Sequence, residues 1–336
     1  MHDAFISSVF SYGWWVAALG IIIGFVALVK GADWLVDGAS AIAKRFGISD
    51  LIIGLTVVAF GTSMPEFVVN MVSVAHGSTE LAITNILGSN IINTFVILGL
   101  TAMVYPIVSQ KHSRNFDIPL SVLAGFLVLA LVIFNSPFES VRGISRIGGV
   151  VLLAIFAFFL YDAFMHAKNH PEEDIETDGQ AEEKKITVRR AIVLILGGLV
   201  GLAIGGELIV DSAVDIATRC GVSEAIIGLT IVALGTSLPE LATSVIAAHK
   251  KNTDIAIGNV FGSNIFNVFF VLGTSAVVHP LPAYDGIELD AFMAALGSVV
   301  VWFALRTNKE RILKRWAGAL LIVIYGGYLA YRLLNV

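Results

Sequence analysis

Apolar residues along the 336-residue chain do not alternate with polar ones. They run in long stretches, such as 14–29, 51–75 and 316–330, separated by short polar turns. A helix needs about 20 apolar residues to cross the ~30 Å hydrocarbon core of a bilayer. The pattern predicts ten spanning segments, at 13–44, 51–76, 80–104, 117–135, 147–167, 188–218, 225–249, 254–278, 287–305 and 311–333. The first and sixth exceed a bilayer's thickness and must tilt or project beyond it. Composition points the same way: 57% of residues are hydrophobic and 14% charged, against roughly 25% charged in an average soluble domain. The expected fold class is an all-α polytopic membrane protein. That class excludes a soluble enzyme, a nucleic-acid binder and a disulfide scaffold, and the lone Cys220 has no partner within the chain for a disulfide.

Charge sets the expected orientation. Loops after odd-numbered helices hold sixteen Lys and Arg residues and the opposite side holds four. The positive-inside rule then puts the odd loops in the cytoplasm and both termini outside. The one long polar stretch, 168–187, is acidic and carries Pro171. It reads as a cytoplasmic linker, solvated and without a packed core.

The two halves repeat. Shifting the sequence by 174 residues aligns Gly54–Gly99 with Gly228–Gly273 without a gap, and 22 of those 46 positions are identical. Five helices per half is an odd number, so the second half enters the membrane from the opposite side. The expected architecture is ten transmembrane helices in two inverted five-helix repeats, 13–167 and 188–333. Inverted repeats suggest a transporter whose site lies near the midplane, at the repeat interface.

Two stretches carry the chemistry, GLTVVAFGTSMPEF at 54–67 and GLTIVALGTSLPEL at 228–241. Pro65 and Pro239 lack an N–H and interrupt their helices. Broken backbone at membrane depth is tolerated where it is buried in protein or lines a cavity. Thr62, Ser63 and Glu66, with Thr236, Ser237 and Glu240, then offer hard oxygen ligands suited to Na⁺ or Ca²⁺. A kink alone accounts for the prolines but not for the glutamates. A carboxylate at the bilayer centre costs ~3 kcal/mol on insertion scales and marks an ion pathway. No Lys or Arg lies in the second, third, seventh or eighth segment to neutralise either one.

The following helices add TNILGSNIIN at 84–93 and GNVFGSNIFN at 258–267. Asn85, Ser89 and Asn93 form one helical stripe, and Asn259, Ser263 and Asn267 repeat it. Small polar residues commonly hydrogen-bond between membrane helices, and that reading suits Asn90 and Asn264. Asn93 and Asn267, at the depth of the glutamates, read as ligands. Asp33, Asp37, Glu207, Asp211 and Asp215 read as structural or interfacial, with Lys30 placed to pair with Asp33. HExxH, P-loop and GxSxG motifs are absent, and no enzymatic activity is expected.

Paired GTSxPE motifs, each followed by a GSNxxN helix, resemble the α-repeats of the calcium/cation antiporter superfamily, and most of all its prokaryotic sodium/calcium exchangers. The resemblance covers essentially the whole chain. It implies a core of helices two, three, seven and eight, across which helices one and six slide. It also implies a ligand set of Ala59, Thr62, Ser63, Glu66, Ser89 and Asn93, with Ala233, Thr236, Ser237, Glu240, Ser263 and Asn267. The alanines contribute through backbone carbonyls. Several branches, among them the potassium-dependent one, carry Asp where this chain has Asn267, which leaves two carboxylates here in place of three. The expected function is exchange of Na⁺ for Ca²⁺ by alternating access in a prokaryotic inner membrane. H⁺/Ca²⁺ exchange on the same glutamates is the alternative, and a cation channel the reading from another class. The ions are the substrates, the bilayer is the surrounding partner, and no cofactor or nucleic acid is implied.

Overall fold

The structure is a computed structural model that describes residues 14–134, 142–169, 186–221 and 233–334. Its helices are α1 (Trp14–Phe46), α2 (Asp50–Thr62), α3 (Met64–Ala75), α4 (Thr79–Val104), α5 (Ser113–Ile133), α6 (Arg146–Asn169), α7 (Val188–Arg219), α8 (Ala233–Thr236), α9 (Leu238–His249), α10 (Thr253–Val278), α11 (Ile287–Thr307) and α12 (Arg315–Leu334). This is an all-helical polytopic membrane fold. Among the described residues seven helices (α1, α4, α5, α6, α7, α10 and α11) are long and apolar enough to cross a bilayer, and the bent pair α2 and α3 makes eight. The expected span at 225–249 is described only from residue 233. Most of the expected linker, residues 170–185, lies outside the described residues.

Helix ends follow local chemistry. The Ser49 hydroxyl caps α2 by accepting from the Ile52 N–H, and Asn252 caps α10 through the Ile255 N–H, each satisfying a donor that the first turn leaves open. Gly47 and Gly221, one repeat apart, follow the two long helices with φ of 62° and 77°, a left-handed stop that favours glycine. Between α2 and α3 the chain bends by 44°. Pro65 sits in the first turn of α3, where its missing N–H costs nothing, and the break falls at Ser63. Pro239 opens α9 in the same way, and Ser237 repeats the backbone of Ser63, with φ −89° and ψ 5° against −86° and 7°.

α1 and α7, 33 and 32 residues long, cross each other at glycines. A Cβ added at Gly31 would lie 2.7 Å from the Leu202 nitrogen, and one at Gly198 2.7 Å from the Gly31 oxygen. Close backbone approach through small residues is how helices associate where lipid is as apolar as leucine. α10 is buried for nearly its whole length and α4 for most of it. They form the centre of the main apolar core. Gly262 brings α10 onto α2, since a Cβ there would lie 2.7 Å from the Leu55 oxygen. Trp15, Ile22 and Phe25 on α1, and Val193, Leu196 and Val200 on α7, turn outward and are exposed. In a bilayer such faces contact lipid.

Four two-residue strands lie in the loops: β1 (Ile107–Val108), β2 (Gly143–Ile144), β3 (Leu281–Pro282) and β4 (Ile312–Leu313). β1 pairs antiparallel with β4, and β2 with β3. Each pair joins one half of the sequence to the other.

Candidate ion-binding site

The GTSxPE breaks at Ser63 and Ser237 each deliver a glutamate to the first turn of the following helix. Glu66 is 1% exposed and Glu240 0%. The two breaks meet across the repeat. Ser63 Oγ donates to Glu240 Oε1 at 2.8 Å, and Ser237 Oγ faces Glu66 Oε1 at 3.5 Å. From α10, Ser263 Oγ lies 3.5 Å from the same Glu240 oxygen. Among the described residues no Lys, Arg or His pairs with either carboxylate. Two carboxyl groups without a basic partner therefore sit in one low-dielectric centre. An isolated ionised carboxylate is very costly there unless a cation or hydrogen bonds compensate it.

The asparagines come from two repeat-related π-helical segments, Ile92–Ile97 in α4 and Phe266–Leu272 in α10. Such bulges shift side-chain direction within a helix and are frequent at functional sites. Asn93 Nδ2 donates to Asn264 Oδ1 at 3.1 Å, and Asn267 Nδ2 to Asn90 Oδ1 at 3.1 Å. Asn90 and Asn264 thus bridge the two halves, as their expected interhelical role requires. Within the GTSxPE and GSNxxN motifs six buried oxygens have no hydrogen-bond partner: Glu66 Oε2, Glu240 Oε2, Asn93 Oδ1, Asn267 Oδ1, Ser89 Oγ and Thr236 Oγ1. Buried polar atoms are normally paired, and those left open call for an explanation such as an ion. Among the described residues no three His, Cys, Asp or Glu side chains gather at one point. A metal held here would take most of its ligands from neutral oxygens.

Other expected site residues stand differently. Thr62 Oγ1 donates to Asn259 Oδ1 at 3.0 Å and lies 3.3 Å from the Ala59 oxygen. The Ala59 carbonyl also accepts from the Ser63 N–H at 3.0 Å, so it is twice engaged within its own helix. Ala233 lies in α8, one turn before the second break. The asparagine stripes do not act as units. Asn259 donates to Ser244 Oγ at 2.9 Å and Asn85 to Asn70 Oδ1, at the position matching Ser244, at 2.9 Å, while Asn259 also donates to the Glu240 carbonyl at 3.2 Å.

Two features escaped sequence reasoning. Thr243, one turn beyond Glu240, is fully buried with an unpartnered hydroxyl. Its repeat counterpart is Val69, so the repeat itself gave no signal. Lys30 was expected to pair with Asp33, but Asp33 is held by Lys250. Lys250 Nζ lies 2.6 Å from Asp33 Oδ1 and 2.6 Å from Asp37 Oδ1. Pairings over 217 and 213 residues are set by packing of α1 against the end of α9, which local spacing does not report.

A helical membrane bundle that buries two carboxylates and a layer of hydroxyl and amide oxygens between its halves has the build of an ion transporter. The chain belongs to the sodium/calcium exchanger protein family, which matches residues 16–165 and 190–334. That family is one of cation antiporters, not of enzymes. The chain is 36% identical to the inner membrane protein YrbG of Escherichia coli, over 77% of this chain and 79% of that protein. It is 31% identical to the sodium/calcium exchanger MaX1 of Methanosarcina acetivorans, over 92% of this chain and 96% of that one. Among solved structures, the sodium-calcium exchanger NCX_Mj soaked with 10 mM Na⁺ and zero Ca²⁺ matches with a TM-score of 0.80 and 31% identity. The match covers 95% of this chain and 99% of that one.

Proposed function

We propose that the protein exchanges Na⁺ for Ca²⁺ by alternating access around Glu66 and Glu240. Six buried oxygens without partners, two of them on those glutamates, carry the reading. They are hard donors, two are anionic, and the dication matches the pair's charge. Thr62, Ser63, Ser237, Ser263 and the carbonyls of Ala59 and Ala233 complete the proposed ligand set, with Ser63 and Ser237 holding the carboxylates in place until an ion arrives.

The proposed frame is ten spanning helices in two inverted five-helix repeats, 13–167 and 188–333, joined by the acidic linker 168–187. The strand pairs support its parity. β1 follows the third span and β4 immediately precedes α12, the helix of the tenth. β2 precedes the fifth and β3 follows the eighth. Ten spans put each pair on one side of the membrane. The glycine seam between α1 and α7 lets these two helices move as one body across the core that holds the site. The excess of Lys and Arg in odd loops supports cytoplasmic loops there and both termini outside. The inner membrane is the proposed location, in keeping with the name of the Escherichia coli relative.

The test uses purified protein in sealed vesicles, with voltage and pH clamped on both sides. An outward Na⁺ gradient is expected to drive tracer Ca²⁺ uptake, and Ca²⁺ efflux to need external Na⁺. Uptake that ignores Na⁺ and follows a pH gradient would replace Na⁺ by H⁺ as the counter-ion. Ca²⁺ flux without any counter-ion would make the protein a channel.

A further inference from the structure

We propose that Asn90 is a positioning residue that dictates which atom of Asn267 faces the transported cation. The inference rests on the site reading above and extends it to a side chain outside the ligand set. An amide end has an oxygen that accepts and a nitrogen that donates, and the two have nearly the same shape. A side-chain amide can therefore serve a cation or repel it, depending on a half-turn about its last bond.

At Asn267 the backbone removes that choice. Asn90 Nδ2 lies 3.2 Å from the main-chain carbonyl of Asn264. A carbonyl only accepts, so Asn90 must present its nitrogen there. Asn90 Oδ1 is then left facing Asn267, where it accepts from Nδ2 at 3.1 Å. Asn267 must in turn offer its nitrogen to Asn90, and its oxygen is turned away from that bond. Asn267 is fully buried, and Oδ1 is one of the unpartnered oxygens of the site. One fixed acceptor in the main chain thus determines, two bonds away, that position 267 offers the ion an oxygen.

The repeat-related chain lacks this anchor. Asn93 Nδ2 donates to Asn264 Oδ1, and Asn264 Nδ2 donates to Thr94 Oγ1 at 2.9 Å. A hydroxyl both donates and accepts, so this chain ends in a group that tolerates either order. The counterpart of Thr94 is Val268. Only the orientation at 267 is dictated from outside the side chains.

A consequence concerns an aspartate at this place. Its second oxygen would take the position of Asn267 Nδ2, 3.1 Å from Asn90 Oδ1, and set acceptor against acceptor. Relief would require Asn90 to turn its oxygen toward the Asn264 carbonyl, which is no better. Asn90 thus opposes an ionised carboxylate at 267 and favours a neutral oxygen ligand.

The experiment is a mutant cycle on the full chain in vesicles, reading the half-saturation for tracer Ca²⁺ uptake in wild type, Asn90→Leu, Asn267→Asp and the double variant. Leucine fills the volume and removes both hydrogen bonds. Each single change is expected to raise the half-saturation about tenfold, the effect of losing one well-placed polar contact. The double variant is expected within about threefold of wild type, because a carboxylate shows the ion an oxygen whichever way it turns and nothing opposes it. A double variant as impaired as the two singles combined would overturn the inference. If Asn90→Leu yields no monodisperse protein, Asn90→Ser, too short to bridge, takes its place in the same cycle. Glu66→Gln is measured beside them. Uptake that survives Glu66→Gln brings down the site reading itself. Loss of uptake in Glu66→Gln with an additive cycle brings down only the role of Asn90.

Discussion

Ser63 donates to Glu240 at 2.8 Å, so the helix break of one half orients the carboxylate of the other. The reciprocal contact, from Ser237 to Glu66, is longer at 3.5 Å. Each glutamate keeps one oxygen bound by a serine and the other open. That arrangement ties the two motifs into one centre.

Neutralising one carboxylate is therefore expected to abolish Ca²⁺ transport. Glu66→Gln and Glu240→Gln keep the volume and remove one charge of two, leaving a bound dication half compensated in a low-dielectric site. Uptake by both variants, measured in vesicles with equal protein incorporation, is expected to fall to background. Uptake near wild type in either one would sink the paired-carboxylate site.

The α1–α7 seam gives a stability prediction. A methyl group at Gly31 would meet the Leu202 nitrogen and the Gly198 oxygen, at 2.7 and 2.8 Å. These are backbone atoms and cannot rotate aside. Gly31→Ala is expected to push the helices apart and destabilise the protein by about 1–3 kcal/mol, the usual cost of overpacking. Thermal unfolding in detergent measures it. An unchanged midpoint would mean that the seam already has slack.

A partly exposed ion pair is expected to matter less for stability. Lys250 joins α9 to Asp33 and Asp37 on α1, with 27%, 35% and 47% of the respective side chains exposed. Solvent screens such contacts to about 1 kcal/mol or less. Lys250→Gln should shift the unfolding midpoint only slightly, and high salt should erase the difference. A large shift that persists in high salt would show the pair to be dry in the membrane-embedded protein.

The halves of the sequence that carry chemistry were legible because the repeat marks them twice. A proline-interrupted apolar run with an unbalanced glutamate is costly once and occurs at two equivalent places, and the structure buries Glu66 and Glu240 together. The π-helical segments under Asn93 and Asn267 were not legible, since a bulge of one residue leaves no trace in hydropathy. Nor was the orienting role of Asn90, which depends on a backbone carbonyl of the other half, or the grip of Lys250 on Asp33 and Asp37. These are tertiary contacts, and neither spacing nor composition encodes the partner.

Exchange is expected to proceed without K⁺. Asn267 supplies an oxygen but no charge, so Glu66 and Glu240 are the whole anionic complement of the site. Once Ca²⁺ has balanced them, a further monovalent ion would enter uncompensated, at a cost of about several kcal/mol even after relaxation. Na⁺-driven Ca²⁺ uptake with choline replacing K⁺ on both sides, at controlled voltage, tests this. A collapse that added K⁺ reverses would mean that another group holds that ion.

Repeat-related bonds of the two halves differ at one threonine. Thr62 Oγ1 is bonded to Asn259 Oδ1 at 3.0 Å, and Asn259 is fully buried. The counterparts are Thr236 and Asn85. Thr236 Oγ1 makes no bond to Asn85, which is only half-buried, although Asn85 Nδ2 bonds Asn70 just as Asn259 Nδ2 bonds Ser244. If the two halves exchange conformations during transport, the opposite state forms Thr236 with Asn85 and releases Thr62 from Asn259. Each bond then stabilises one access state by the ~1 kcal/mol of an ordinary hydrogen bond, enough to move a balanced equilibrium about fivefold. Asn259→Ala is expected to favour the opposite state, raising amide exchange over residues 253–259 and lowering it over 79–85. Asn85→Ala is expected to do the reverse. Hydrogen–deuterium exchange on both variants, without Ca²⁺, reads the two segments at once. Changes of the same sign in both variants would mean that the bonds are local packing and that access is set elsewhere.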